Sequence, residues 1–138
     1  MRFLIAEDDP IGCRILELLL KPYGECEKAL DGEEALAKFI TARERGESFG
    51  LLFLDIVMPK KQGMEVLEDI RKFEREHHVT SDDQVKVIML TGQADFKQIN
   101  KAQVLGISSY FLKPYQEEDL VRGLQHLGVI DDPNDTWE

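Results

Sequence analysis

Leu51-Leu52-Phe53-Leu54-Asp55 is a run of four apolar residues that ends in an acid. A strand with one wet face alternates apolar with polar residues. This run does not, so it predicts a strand buried on both faces of a sheet. Val87-Ile88-Met89-Leu90 reads the same way, within a segment that starts at Val85. Outward from this pair, three more short apolar segments stand at Phe3–Ala6, Cys26–Leu30 and Tyr110–Leu112. Stretches of helical periodicity fill the gaps. Strand alternating with amphipathic helix five times predicts a parallel sheet covered by helices on both faces.

Glu25-Cys26-Glu27-Lys28-Ala29 alternates with charge, which suits a sheet edge. With the third and fourth strands central, the expected architecture is a flavodoxin-like (βα)5 doubly wound parallel sheet of strand order 2-1-3-4-5. The first helix follows Asp9 as cap and Pro10 at its first position, with Ile11, Ile15, Leu18 and Leu19 on one face. Leu16 and Leu20 lie about 100° and 140° around from Ile15 at 3.6 residues per turn. They either widen the buried face or form an apolar docking strip. The second helix opens with Asp31 as cap and Glu34 three residues on, and carries Ala35, Leu36, Phe39 and Ile40. The third carries Val66, Ile70 and Phe73; the fourth Phe96, Ile99 and Gln103; the last Leu120, Leu124 and Leu127. His77-His78 reads as solvated surface rather than a metal pair, because neighbours on a helix face different ways.

The chain has 138 residues, the length of one domain, with residues 1–130 expected as that domain and 131–138 as an acidic tail. Asp and Glu total 27 against 17 Lys and Arg, a formal charge of -10. That balance disfavours nucleic acid and anionic membrane, since phosphate binding needs local positive charge. It favours a cation ligand or a basic partner. Two cysteines, Cys13 and Cys26, are too few for a disulfide framework and fit no metal pattern, so reduced thiols and a cytoplasmic protein are expected. No apolar stretch approaches the roughly 20 residues of a membrane span.

In a parallel α/β sheet, ligands bind beyond the carboxyl ends of the strands. Glu7, Asp8 and Asp9 follow the first strand, Asp55 the third, Thr91 the fourth and Lys113 the fifth. Carboxylates crowded at one rim repel one another unless a cation neutralises them. A hard ion such as Mg²⁺ fits an all-oxygen set. A phosphoryl group could then transfer to Asp55, its charge shared among the cation, the Lys113 ammonium and the Thr91 hydroxyl.

Taken singly, Asp55 reads equally as a solvated strand end, Thr91-Gly92 as a turn, Tyr110 as edge packing and Asp9 as a helix cap. The ordered set resembles the receiver domain of two-component response regulators, of the stand-alone, chemotaxis-receiver type. The matching stretches are Ile5-Ala6-Glu7-Asp8-Asp9, Asp31-Gly32-Glu33-Glu34-Ala35-Leu36, Leu54-Asp55-Ile56-Val57-Met58-Pro59 with Gly63, Leu90-Thr91-Gly92 and Tyr110-Phe111-Leu112-Lys113-Pro114. The resemblance implies a phosphoprotein whose Asp55 accepts a phosphoryl group from a sensor histidine kinase or phosphotransfer domain. It implies Mg²⁺, with Mn²⁺ able to substitute, held by Asp8, Asp55, the Val57 backbone carbonyl and, through water, Glu7. Lys113 and Thr91 would contact the phosphoryl group, Thr91 and Tyr110 would switch, and Lys113-Pro114 would be a cis peptide. The output surface would run over the fourth helix, fifth strand and fifth helix, and act through protein contact, since no DNA-binding or enzymatic segment follows.

Three features depart from the family pattern or tune it. Lys60-Lys61-Gln62 puts a basic patch where an acid often precedes Gly63; it either helps recognise a kinase or is solvated. Val57 and Gln93 stand where the family tunes water access to the phosphoryl group, which implies intermediate to slow self-dephosphorylation. Two other readings share the fold or chemistry. A Mg-dependent aspartyl-nucleophile phosphohydrolase would want a second carboxylate where Val57 stands. A flavin module would need an anion cradle where Glu7-Asp8-Asp9 repels anions.

Overall fold

The structure is a computed structural model that describes residues 1–92, 96–114 and 116–131, and of Phe96 only the backbone. The readings made of Gln93, of the Phe96 side chain and of residues 132–138 lie outside the described residues. Five strands, β1 (Arg2–Ala6), β2 (Glu25–Ala29), β3 (Leu51–Asp55), β4 (Lys86–Thr91) and β5 (Ser109–Leu112), form one parallel sheet of order 2-1-3-4-5. Between and after them run α1 (Pro10–Leu20), α2 (Gly32–Glu44), α3 (Gly63–Glu76), α4 (Phe96–Val104) and α5 (Glu117–His126).

Side chains alternate across the sheet and so build two cores. Leu4, Leu52, Leu54, Val87 and Met89 face α2, α3 and α4, meeting Phe39, Leu67, Ile70 and Ala102. Phe3, Ile5, Phe53, Ile88 and Leu90 face α1 and α5, meeting Leu16, Leu20, Leu120 and Leu124. Every residue of β3 is buried, as its unbroken apolar run predicts, while β2 is half-exposed along the edge. No helix among the described residues is long and apolar enough to cross a membrane.

The first helix corrects the sequence reading. Its buried residues are Gly12, Cys13, Leu16 and Leu20, whereas Ile11 is 72% and Leu18 55% exposed. The phase was set by Arg14, which lies on the same side as Ile11 and Leu18; that side goes to solvent because an unpaired charge cannot enter the core. Leu16 and Leu20 are therefore core, and the apolar strip left outside is Ile11 and Leu18. The α2 cap is as expected: the Glu34 backbone N–H donates to Asp31 Oδ1 at 2.8 Å, and the Leu30 N–H donates to Glu34 Oε2 at 3.2 Å. His77 and His78 are both exposed, with the His77 ring stacked on Phe73 at 3.9 Å between centroids.

Sequence reading missed one buried network at the far end of the sheet. Arg71 and Glu74, spaced like a surface pair, are both inside. Arg71 Nη1 donates to Glu74 Oε1 at 2.7 Å and to the Val85 carbonyl at 2.9 Å. Its Nε donates to the Leu105 carbonyl at 2.9 Å and Nη2 to that of Gly106 at 2.7 Å. Glu74 Oε2 accepts from the Val85 N–H at 2.8 Å. The network ties α3 to the start of β4 and to the turn between α4 and β5.

Candidate functional site

Strand register brings the chemistry to one rim. Ala6 pairs with Leu54, so Glu7 stands level with Asp55; Asp55 pairs with Leu90, so Thr91 stands one step beyond. Leu112 pairs with Thr91, and the Lys113 N–H donates to the Thr91 carbonyl at 2.6 Å, which delivers Lys113 to the same edge. The Lys113-Pro114 peptide is cis.

Glu7, Asp55 and Thr91 are buried, whereas Asp8 is exposed at the mouth. Lys113 Nζ bridges the acids, donating to Glu7 Oε1 at 2.5 Å and to Asp55 Oδ2 at 2.8 Å. Asp55 Oδ1 accepts from the Val57 N–H at 3.1 Å, and Glu7 Oε1 also accepts from the Asp9 N–H at 3.1 Å. Glu7 Oε2 is buried with no hydrogen-bond partner among the described residues. An open cleft of about 490 Å³ lies over this group, lined by Asp8, Asp55, Val57, Thr91, Gln98 and Lys113 among others. Gln98, from α4, was not singled out from sequence; only the packing of α4 beside β4 brings it there.

The electrostatics are unbalanced. One carboxylate oxygen each from Glu7, Asp8 and Asp55 lie within 4.8 Å of one another, with Lys113 as the ion-pair partner of two of them. Burial pushes the Glu7 carboxyl up to about 7, and the Asp55 charge pushes the same way against the Lys113 and Asp9 hydrogen bonds. Burial works to lower Lys113, but its bonds to Asp55 and Glu7 outweigh that and hold the ammonium above its ordinary range. Three hard oxygen donors and one unsatisfied buried oxygen fit a small divalent cation. Asp9 is not in the cluster: its Oδ1 accepts from the Ile11 N–H at 3.2 Å and caps α1.

Val57 is 67% exposed at the rim. Tyr110 is half-buried against the α4-side core. The basic patch is engaged by neighbours: Lys60 Nζ lies 3.6 Å from Asp31 Oδ2, and Lys61 pairs with Asp69.

Against known proteins, the sequence model of the response regulator receiver domain matches residues 3–125. The peroxide stress-activated histidine kinase mak2 of Schizosaccharomyces pombe is 30% identical over 129 residues, which is 93% of this chain and 5% of that protein. The probable transcriptional regulator ycf27 of Porphyridium aerugineum is 32% identical over 120 residues, 86% of this chain and 44% of that protein. This chain thus spans less than half the length of these curated relatives. Among solved structures, a CheY-like receiver domain protein from Methanospirillum hungatei JF-1 superposes with TM-score 0.71 at 29% identity, covering 92% of this chain and 93% of that one. CheY in a CheX complex from Borrelia burgdorferi shares the fold at TM-score 0.75 and 22% identity, covering 94% and 90% of the two chains.

Proposed function

Because the chain belongs to the response regulator receiver family, we propose that it accepts a phosphoryl group on Asp55 from a histidine kinase or phosphotransfer protein. The receiver unit is read as residues 1–130, with 131–138 a tail. The carrying observation is Lys113 Nζ held 2.8 Å from Asp55 Oδ2 in an open cleft beside three clustered carboxylates. An Asp55 carboxylate oxygen attacks phosphorus; the P–N bond of the donor phosphohistidine breaks, and its electron pair returns to the imidazole, which takes up a proton. Lys113 meets the charge on the phosphoryl oxygens, and the Thr91 hydroxyl and the Val57 N–H offer hydrogen bonds to it. Asp8, Asp55, the Val57 carbonyl and, through water, Glu7 would hold Mg²⁺ or Mn²⁺. That ion supplies charge neutralisation for the transferring group.

Phosphorylation places a doubly acidic group at the rim, and Thr91 and Tyr110 are read as the residues that carry the change to the α4–β5–α5 surface. Leu112, 48% exposed on that surface, offers partner contact. The exposed strip of Ile11 and Leu18 is read as the docking strip for a helical phosphodonor. A phosphohydrolase would want a general acid two residues after Asp55, and Val57 has no ionisable group there. The test is intact mass after acetyl phosphate with Mg²⁺: one added phosphoryl mass on the wild type and none on Asp55→Asn. An unlabelled wild type, or equal labelling of both, would sink the reading.

A further inference from the structure

The loop from β3 to α3 carries Val57 over the site and is held from three directions. Ile56 and Met58 are buried in the α2–α3 core. Beneath, Gly63 packs on the phosphoacceptor strand: a Cβ there would meet the Asp55 carbonyl carbon and Ile56 Cα at 2.9 Å. Outside, the loop lies on the first residue of α2. The Gly32 N–H donates to the Pro59 carbonyl at 3.3 Å, and a Cβ on Gly32 would stand 2.7 Å from both Lys61 C and Lys61 Cβ. Lys60, beside this contact, has left-handed backbone at φ 67°.

Helix formation does not ask for glycine at position 32, since glycine is the poorer helix former by about 1 kcal/mol. Its backbone φ is not in the left-handed region either. The close approach of the loop accounts for it. The α2 wall is itself rigid, braced by the Asp31–Glu34 capping bonds.

We infer that Gly32 is a positioning residue for the phosphoacceptor site: by presenting no side chain, it lets the β3–α3 loop seat at the depth that aims the Val57 backbone at the cleft. The inference rests on the receiver reading of Asp55. Carbon atoms pack at about 3.5–4.0 Å, so an added methyl pushes Lys61 outward by about 1 Å. With Gly63 fixed against Asp55, that displacement is taken up within residues 56–62. A misplacement of about 1 Å can cost on the order of 100-fold in rate, and Mg²⁺-type octahedral sites tolerate little distortion.

The test compares wild type, Gly32→Ala, Glu33→Ala as a same-turn control, and Pro59→Gly, which adds no atom but frees the fixed φ of the loop where it meets α2. Mn²⁺ affinity is read by electron paramagnetic resonance, well below each melting temperature, and acetyl phosphate labelling is resolved into maximal rate and half-saturating concentration. Gly32→Ala is expected to weaken Mn²⁺ at least tenfold and to lower the maximal labelling rate on the order of 100-fold. Pro59→Gly should weaken Mn²⁺ at least threefold, and Glu33→Ala should do neither. Pro59→Gly decides the matter alone if Gly32→Ala does not fold. A purely structural role lowers the melting temperature and leaves the Mn²⁺ affinity of the folded protein within twofold of wild type, which overturns the inference. A wild type that neither binds Mn²⁺ nor labels at Asp55 overturns the receiver reading and this inference with it.

Discussion

Arg71→Ala should be among the costliest alanine substitutions on α3. The guanidinium donates four hydrogen bonds, to Glu74 and to the carbonyls of Val85, Leu105 and Gly106, at 2.7 to 2.9 Å. Truncation takes a donor from each of three carbonyls, and leaves Glu74, fully buried, without its cation. Breaking a buried pair from one side costs about 3–5 kcal/mol, a large share of the ~5–15 kcal/mol that holds a domain together. Removing both charges is different. Arg71→Met with Glu74→Leu leaves no buried ion, only backbone groups that have each lost a partner, and should cost less than either single change. Urea denaturation followed by circular dichroism reads these differences, with m-values checking that the denatured states stay comparable. Single variants within 1 kcal/mol of wild type, or a double variant costing the sum of the singles, would mean that Arg71 and Glu74 do not act as a buried pair.

Val57→Asn places an amide where the exposed valine stands and should shorten the lifetime of phosphorylated protein at least threefold, read by loss of the added mass after acetyl phosphate is removed. An unchanged lifetime, or a wild-type lifetime of only a few seconds, would contradict the apolar-rim reading. Leu18→Lys should change stability by less than about 1 kcal/mol, yet block transfer from a helical phosphodonor while acetyl phosphate labelling persists. Leu16→Lys buries a charge and should instead cost at least about 3 kcal/mol; the opposite ranking would restore the phase first expected for α1. Burial, aided by the Glu17 charge, pushes the Cys13 thiol up to about 11. At pH 8 only about 0.1% would be thiolate, so native Cys13 should alkylate at least 100-fold slower than in the urea-unfolded chain, with comparable rates counting against it.

The sheet was legible because its two central strands are buried on both faces, which leaves an unbroken apolar run that no amphipathic helix shares. The acidic rim was legible for a related reason: a parallel strand ends where its apolar run ends, and the next residue is at the ligand edge. The face of α1 was legible in part: Ile15 and Leu19 pack on the core, with Leu16 and Leu20 widening it, but Ile11 and Leu18 turn outward on the side set by the charge of Arg14. Arg71 and Glu74 were invisible as interior groups, since an i, i+3 pair of opposite charge is the usual mark of a solvated helix face. What buries them is the turn that follows α4, more than 30 residues further on. Gly32 belonged to a recognised stretch, but the reason for it, a loop 27 to 29 positions away lying on its backbone, is a contact between elements that no local pattern carries.

Two buried glutamates separate structure from function in this molecule. Glu74 has both oxygens matched: Arg71 Nη1 on one and the Val85 N–H on the other. Glu7 is as deeply buried, but its donors, Lys113 Nζ and the Asp9 N–H, both fall on Oε1, and Oε2 faces no donor among the described residues. A buried carboxylate oxygen left without a partner costs about 1–3 kcal/mol or more, so a chain shaped only for stability would match it as Glu74 is matched. The mismatch belongs to the residue that shares a carboxylate cluster with Asp8 and Asp55, at the rim where the cleft opens. An incoming cation would satisfy that oxygen and relieve the repulsion among the three acids together. The formal charge of -10 therefore matters less as a total than for where three of its acids converge. Two of them, Glu7 and Asp8, crowd beside Asp55, which phosphorylation would make more negative still.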